Sequence, residues 1–133
     1  MTGEKDLQKL LASMSPELIE GEFVFCTFLN TQYGDRSALE PIAAIREAEG
    51  LTLVIPKSKA DEKKLHYESV FRQITLTVHS SLDAVGLTAA FAGKLTAHGI
   101  SANVIAGFYH DHIFVQSEHA ERAMEALHDL TRK

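Results

Sequence analysis

The residues best placed to do chemistry in this 133-residue chain lie close together in its second half. His110-Asp111-His112 sets two imidazoles two positions apart. On a strand such residues point to one face, so the pair could share a Zn²⁺ or another divalent ion. A complete site needs more donors, and no spacing ties His79 or His119 to the pair. The other reading gives both imidazoles a structural or ligand-contacting role. Asp111 can hold an ammonium or guanidinium group by charge-assisted hydrogen bonds, or it can bond its own backbone as turn aspartates do. Phe108 can pack on the aliphatic part of such a ligand or join the core, Asn103 is a neutral donor, and Ser81 can cap a helix. Gly86 falls where a strand turns into a helix. Its missing side chain lets a ligand approach the backbone, and the free N–H groups of the helix's first turn can receive a carboxylate. The plainer reading is that Gly86 permits close helix–sheet packing.

Other reactive patterns are missing. The sequence has no nucleophile elbow, no P-loop and no HExxH, so nothing points to hydrolysis or phosphoryl transfer. Glu47 and Glu49 on a hairpin read as solvated charges rather than a catalytic pair. Cys26, the single cysteine, sits in Phe23-Val24-Phe25-Cys26-Thr27-Phe28 with no His or basic residue beside it, and reads as a small core hydrophobe. The chain is therefore expected to bind rather than to catalyse, with no cofactor and no resident metal; a small enzyme and a metal-binding protein are the minor alternatives.

The elements that must position these residues follow from composition and periodicity. A chain that is 45% hydrophobic and 23% charged, with three prolines, has the make-up of a globular protein. Its length suits two half-size units sharing one core better than two independent domains. A net charge of −5 without a run of Lys or Arg offers no nucleic-acid footprint. The polar start Thr2-Gly3-Glu4-Lys5-Asp6 and the absence of a long apolar run argue against a signal peptide or a membrane span, so the expected location is the cytoplasm.

Leu7, Leu10, Leu11 and Met14 predict a short helix over 6–14, stopped by Pro16. Residues 22–29 read as a strand covered on both sides, with Phe25 in the core, followed by a polar loop over 30–40 that turns at Gly34-Asp35. Residues 41–56 read as a hairpin through Glu49-Gly50, although Ile42 to Ile45 could start a helix. The charged stretch 58–65 is a short helix or connector where the halves, 1–67 and 68–133, join. Next comes a strand with Arg72, Ile74, Leu76 and Val78 on one face and Gln73, Thr75, Thr77 and His79 on the other. A helix through Ala84, Leu87, Phe91 and Leu95 follows, capped by Ser80 or Ser81 and ended at His98-Gly99. Strands over 101–108 and 112–116 then flank a turn at Tyr109-His110-Asp111, before a last helix striped by Ala120, Ala123, Met124 and Leu127.

Val78-His79-Ser80-Ser81, the loop Leu82-Asp83-Ala84-Val85-Gly86-Leu87 and the run Gly99-Ile100-Ser101-Ala102-Asn103-Val104 resemble the ACT family of regulatory amino-acid-binding domains. The runs from Ala106 to Val115 and from Glu47 to Val54 resemble, more narrowly, a family of small uncharacterised bacterial proteins with tandem ACT-like halves, and more distantly tandem-ACT arginine sensors. The resemblance implies an α+β fold of ferredoxin-like βαββαβ units, antiparallel sheets with helices on one face. The first half departs from the pattern, having no glycine-bearing strand-to-helix loop. The resemblance also implies a small-molecule ligand, an amino acid, bound by Ser81, Asp83, Ala84, Val85, Gly86 and Leu87 of the loop and by Asn103, Phe108, His110 and Asp111, with help from Glu49. Asp111 takes the ligand's cationic group by similarity to the arginine sensors. Exposed antiparallel edges point to a homo-dimer or higher homo-oligomer, and a ligand-free oligomerisation scaffold is the leading alternative.

Overall fold

The computed structural model describes residues 7–77 and 86–131. Among these the chain runs α1 Leu7–Ser13, β1 Pro16–Leu18, β2 Phe23–Phe28, β3 Ala43–Glu47, β4 Gly50–Pro56, α2 Lys57–Glu62, β5 Phe71–Leu76, α3 Leu87–Ala97, β6 Asn103–Ala106, β7 Asp111–Gln116 and α4 Ala120–Thr131. Packing gathers these elements into two compact units. The segment up to Glu20 joins the chain from Arg72 onward in a split unit, and Gly21–Phe71 forms an inserted unit. The units thus differ in extent from the sequence halves 1–67 and 68–133, because β1 pairs with β5 and Met14 is buried among residues of the second half.

In the split unit the strand order is β1-β5-β7-β6. β1 is antiparallel to β5, with Pro16 opposite Leu76 and Leu18 opposite Ile74, and β6 to β7, with Asn103 opposite Phe114 and Ala106 opposite Asp111. The period-two pattern of β5 and β7 turns Ile74, Leu76, Ile113 and Val115 toward the helices, where they meet Phe91 and Leu95 of α3 and Leu127 of α4. Each such Leu, Ile or Phe, fully buried, contributes about 1.5–3 kcal/mol relative to exposure. α4 is strongly one-sided: Ala120, Ala123, Ala126 and Leu127 are buried and Met124 packs at the margin. α3 ends where Ile100 N–H bonds back to Leu95 O at 3.0 Å, so that Ile100 closes the core while the chain turns at Gly99.

The cap of α3 differs from the sequence reading. Gly86 occupies the cap position, with φ 93° and no side-chain cap bond, while Ser80, Ser81 and the predicted helical Ala84 lie outside the described residues, as do Val78 and His79. Arg72, placed by alternation beside Ile74 and Leu76, instead sends one guanidinium N–H to Ile19 O at 3.1 Å, while its Nε is buried without a hydrogen-bond partner among the described residues.

In the inserted unit the order is β3-β4-β2, and Phe71 at the start of β5 stands opposite Phe23. The ambiguous stretch 41–56 is a hairpin: Glu47 pairs with Gly50 and Ala43 with Val54. Val24, Cys26 and Phe28 of β2 and Leu51, Leu53 and Ile55 of β4 form one buried face, closed by Leu39 and by Ala60 of α2. On the other face Phe25 meets Phe71 edge to face, centroids 5.2 Å apart. Phe25 is only partly buried, so it flanks the sheet rather than filling the core.

Candidate functional site

The turn between β6 and β7 builds the polar cluster of the split unit. Gly107 N–H donates to His110 O at 2.9 Å, folding residues 107–110 back so that Asp111 starts β7 opposite Ala106. The turn is tight because Gly107 has no side chain: a Cβ there would lie 2.9 Å from His110 O and 3.2 Å from His112 Nε2. Asp111 shares strand parity with Ile113 and Val115, which carries its side chain toward the core side, and it is only 9% exposed. Burial pushes its carboxyl above the ordinary value of 3.8, and the nearby His112 and His110 rings oppose that rise. Among the described residues no lysine or arginine forms an ion pair with it.

His112 points to the other sheet face. Its Nδ1 lies 3.0 Å from Thr75 Oγ1 and 3.1 Å from Gln73 Nε2, both on β5. An amide nitrogen only donates, so Nδ1 accepts and the ring carries its proton on Nε2. Burial, more than the repulsion from His110, lowers the His112 pKa, with Asp111 opposing. His110 precedes the strand, and its Nδ1 is buried without a hydrogen-bond partner among the described residues. Of the two imidazoles, His112 is thus committed to Gln73 and Thr75. Among the described residues no three His, Cys, Asp or Glu side chains gather as metal ligands.

The remaining sequence-predicted residues are scattered. Phe108 and Tyr109 project from the turn, 66% and 62% exposed, their rings edge to face at 5.0 Å. Asn103 Nδ2 already donates to Phe114 O across the ladder. Leu87 is buried in the helix–sheet core, and a Cβ on Gly86 would stand 3.3 Å from Leu7 Cδ2, so apolar packing occupies one side of that glycine. Ser81, Asp83, Ala84 and Val85 lie outside the described residues. Glu49 is exposed in the β3–β4 turn of the inserted unit, on a polar depression of about 440 Å³. Cys26 is a buried thiol, its pKa raised by burial, with Sγ 3.5 Å from His66 O.

Sequence reasoning missed Gln73 and Thr75 as the residues that hold His112, although the polar alternation of β5 was the available signal. It also missed a cleft of about 340 Å³ in the inserted unit, between the loop after β2 and the β3–β4 sheet.

ACT domain family models match residues 2–72 and 68–129. Among solved structures, a protein of unknown function from Vibrio cholerae, described as a possible transport protein, is 58% identical over 96% of this chain and 98% of its own, with a TM-score of 0.88. A protein from Agrobacterium tumefaciens is 15% identical over 89% of each chain, TM-score 0.74. The regulatory subunit of aspartate kinase from Thermus thermophilus, in its ligand-free form, is 11% identical over 92% of this chain and 99% of its own, TM-score 0.66. At the latter two identities the likeness is one of fold. No curated protein matches the chain.

Proposed function

Because the chain belongs to the ACT domain family and carries two such domains in tandem, we propose that it is a ligand-binding regulatory or sensor protein, not an enzyme, and that its ligand is an amino acid. The observation that carries this reading is Asp111: a carboxylate at 9% exposure with no lysine or arginine ion pair among the described residues. Burying an anion without a cationic partner is costly, and a ligand that brings an ammonium or guanidinium group removes the cost on binding. In this reading the ligand's cation meets Asp111, its carboxylate meets the backbone about Gly86, and Phe108 and His110 flank its body. Ser81, Asp83, Ala84 and Val85 complete the proposed contacts.

The regulatory role draws support from the fold shared with an aspartate kinase regulatory subunit, and a link to amino-acid metabolism or transport from the same neighbour and from the relative described as a possible transport protein. The sequence halves 1–67 and 68–133 are the two ACT-like repeats. A homo-oligomer in the cytoplasm completes the proposal; β3 is an edge strand of the inserted unit and β6 an edge strand of the split unit, each open to pairing with a second copy.

The test is a thermal-shift screen with each standard amino acid, followed by calorimetry. A ligand at about a hundred times its dissociation constant stabilises the fold by roughly 2.7 kcal/mol. A response to one or a few amino acids, lost in Asp111→Asn, supports the reading; no response to any of them favours a scaffold without ligand.

A further inference from the structure

We infer that the inserted unit holds a second small-molecule site, distinct from the one proposed at Asp111, that takes a monocarboxylate with an apolar body. The split unit joins β5 to β6 through a region that includes the eleven-residue helix α3. The inserted unit joins β2 to β3 with a loop whose helical content is a single 3-10 turn, Ser37–Leu39. That turn plants Leu39 in the core at 3% exposure. Beside it lies the cleft of about 340 Å³, in the lower part of the roughly 300–1,000 Å³ range of small-ligand pockets.

Its floor is apolar, made by Leu51 and Leu53 of β4 and Ala44 of β3, and Ile42, 46% exposed, forms one wall. The opposite wall is the loop, and there Arg36 stands with its guanidinium 4.4 Å over the Phe28 ring. A cation–π contact of this kind holds the guanidinium against the ring and leaves its other N–H groups available for an anion. The nearby acids are engaged elsewhere. Asp35 Oδ2 accepts from Gln32 N–H at 2.9 Å, and Glu40 faces Lys59 at 3.5 Å. Among the described residues no carboxylate pairs with Arg36. An unpaired guanidinium beside an apolar floor selects a ligand with a carboxylate at one end and a hydrocarbon group at the other, and Ser37 also lines the cleft.

The experiment titrates the whole protein with 3-phenylpropionate and, separately, with its neutral amide, following backbone amide resonances. The acid is expected to give saturable shifts at residues 33–44 and 51–53 and to bind at least about tenfold more tightly than the amide, the scale of one charge-assisted hydrogen bond. Arg36→Gln is expected to bring the acid down to the affinity of the amide while the amide binds as before, which shows the cleft intact. Ala44→Leu is expected to abolish both by filling the floor. Asp111→Asn is expected to leave both unchanged, which separates this site from the other. Equal affinity of acid and amide, undiminished acid binding in Arg36→Gln, a loss in Asp111→Asn, or no saturable shift at these residues overturns the inference.

Discussion

His112 Nδ1 and the Thr75 hydroxyl lie 3.0 Å apart across β7 and β5, on the sheet face turned away from the helices. With Gln73 also donating to that nitrogen, the pair holds a neutral imidazole in a setting where a protonated one would lose an accepted hydrogen bond and its solvation. The sign of the resulting pH dependence is fixed. The folded-state pKa lies below the ordinary 6.5, so the unfolded chain takes up the proton first. The stabilising contribution is full above 6.5 and is lost as pH falls through the folded pKa. Urea unfolding on the two sides of 6.5 is expected to show stability falling with acidification, and the fall is expected to be shallower in His112→Gln. An NMR titration midpoint for His112 at or above 6.5 would contradict this.

Asp111 runs the other way. Its folded pKa is raised above 3.8, so it favours the folded state at low pH, and that contribution is lost as pH rises through the folded pKa. Without ligand, Asp111→Asn is expected to be more stable than the wild type at neutral pH, with the advantage shrinking toward 3.8. A variant equally stable across that window would show that the carboxylate is solvated.

Ligand binding turns the same burial to use. If an amino-acid ligand sets its cationic group on Asp111, Asp111→Asn is expected to weaken it by about 1.5–3 kcal/mol, the range of a hydrogen bond to a charged group. Wild-type affinity is also expected to fall as pH drops through the Asp111 midpoint, because only the ionised carboxyl attracts a cation. Calorimetry with the best ligand of the screen, at several pH values, measures both; equal affinity of the two proteins removes Asp111 from the site.

Much of this architecture was legible because it rests on local periodicity. Phe91 and Leu95 of α3, the alternation of β5 and the stripe of α4 each state their face in the sequence. What was hidden depends on partners distant in the chain. Nothing near Met14 says that it joins the core cluster of Phe91 and Leu127, and nothing near Arg72 says that Ile19 O receives it. At the site, the types of Asp111 and His112 were visible, but their environments were not. One residue apart on a strand, they face opposite sides and have opposite pKa shifts, and a spacing argument that paired His110 with His112 could not see that Gln73 and Thr75 already hold one of them. The cleft beside Arg36 was illegible for another reason: it arises from a short turn between β2 and β3, and empty space leaves no residue pattern to read.

The two core residues singled out by pattern separate in the structure. Leu95 is fully buried among helices and sheet, and Leu95→Ala is expected to cost about 2–5 kcal/mol through lost burial and a residual cavity. Phe25 is partly exposed, and its ring meets Phe71 edge to face. Phe25→Ala is therefore expected to cost less than Leu95→Ala, with about 0.5–1.5 kcal/mol from the lost ring pair. Denaturant melts of the two variants, read at unchanged slope, give the ordering; a larger loss at Phe25 would reverse the assignment.

Gly107 links the turn to the imidazole. An added Cβ would meet His110 O at 2.9 Å and His112 Nε2 at 3.2 Å, and the carbonyl is fixed by its bond to Gly107 N–H itself. Relief needs the turn to open or the His112 ring to move, and moving the ring loosens its bonds to Thr75 and Gln73. Gly107→Ala is therefore expected to destabilise by about 1–3 kcal/mol, the usual scale of overpacking. It is also expected to bring the His112 titration midpoint back toward 6.5 as the ring gains solvent. The second effect distinguishes this cause from a general weakening of the fold, since Leu95→Ala, far along the chain and in the helix–sheet core, should lower stability without moving that midpoint. Urea unfolding together with an imidazole ¹⁵N titration of both variants makes the comparison, and a Gly107→Ala protein with unchanged stability and an unchanged His112 midpoint would show that the turn has room for the methyl group.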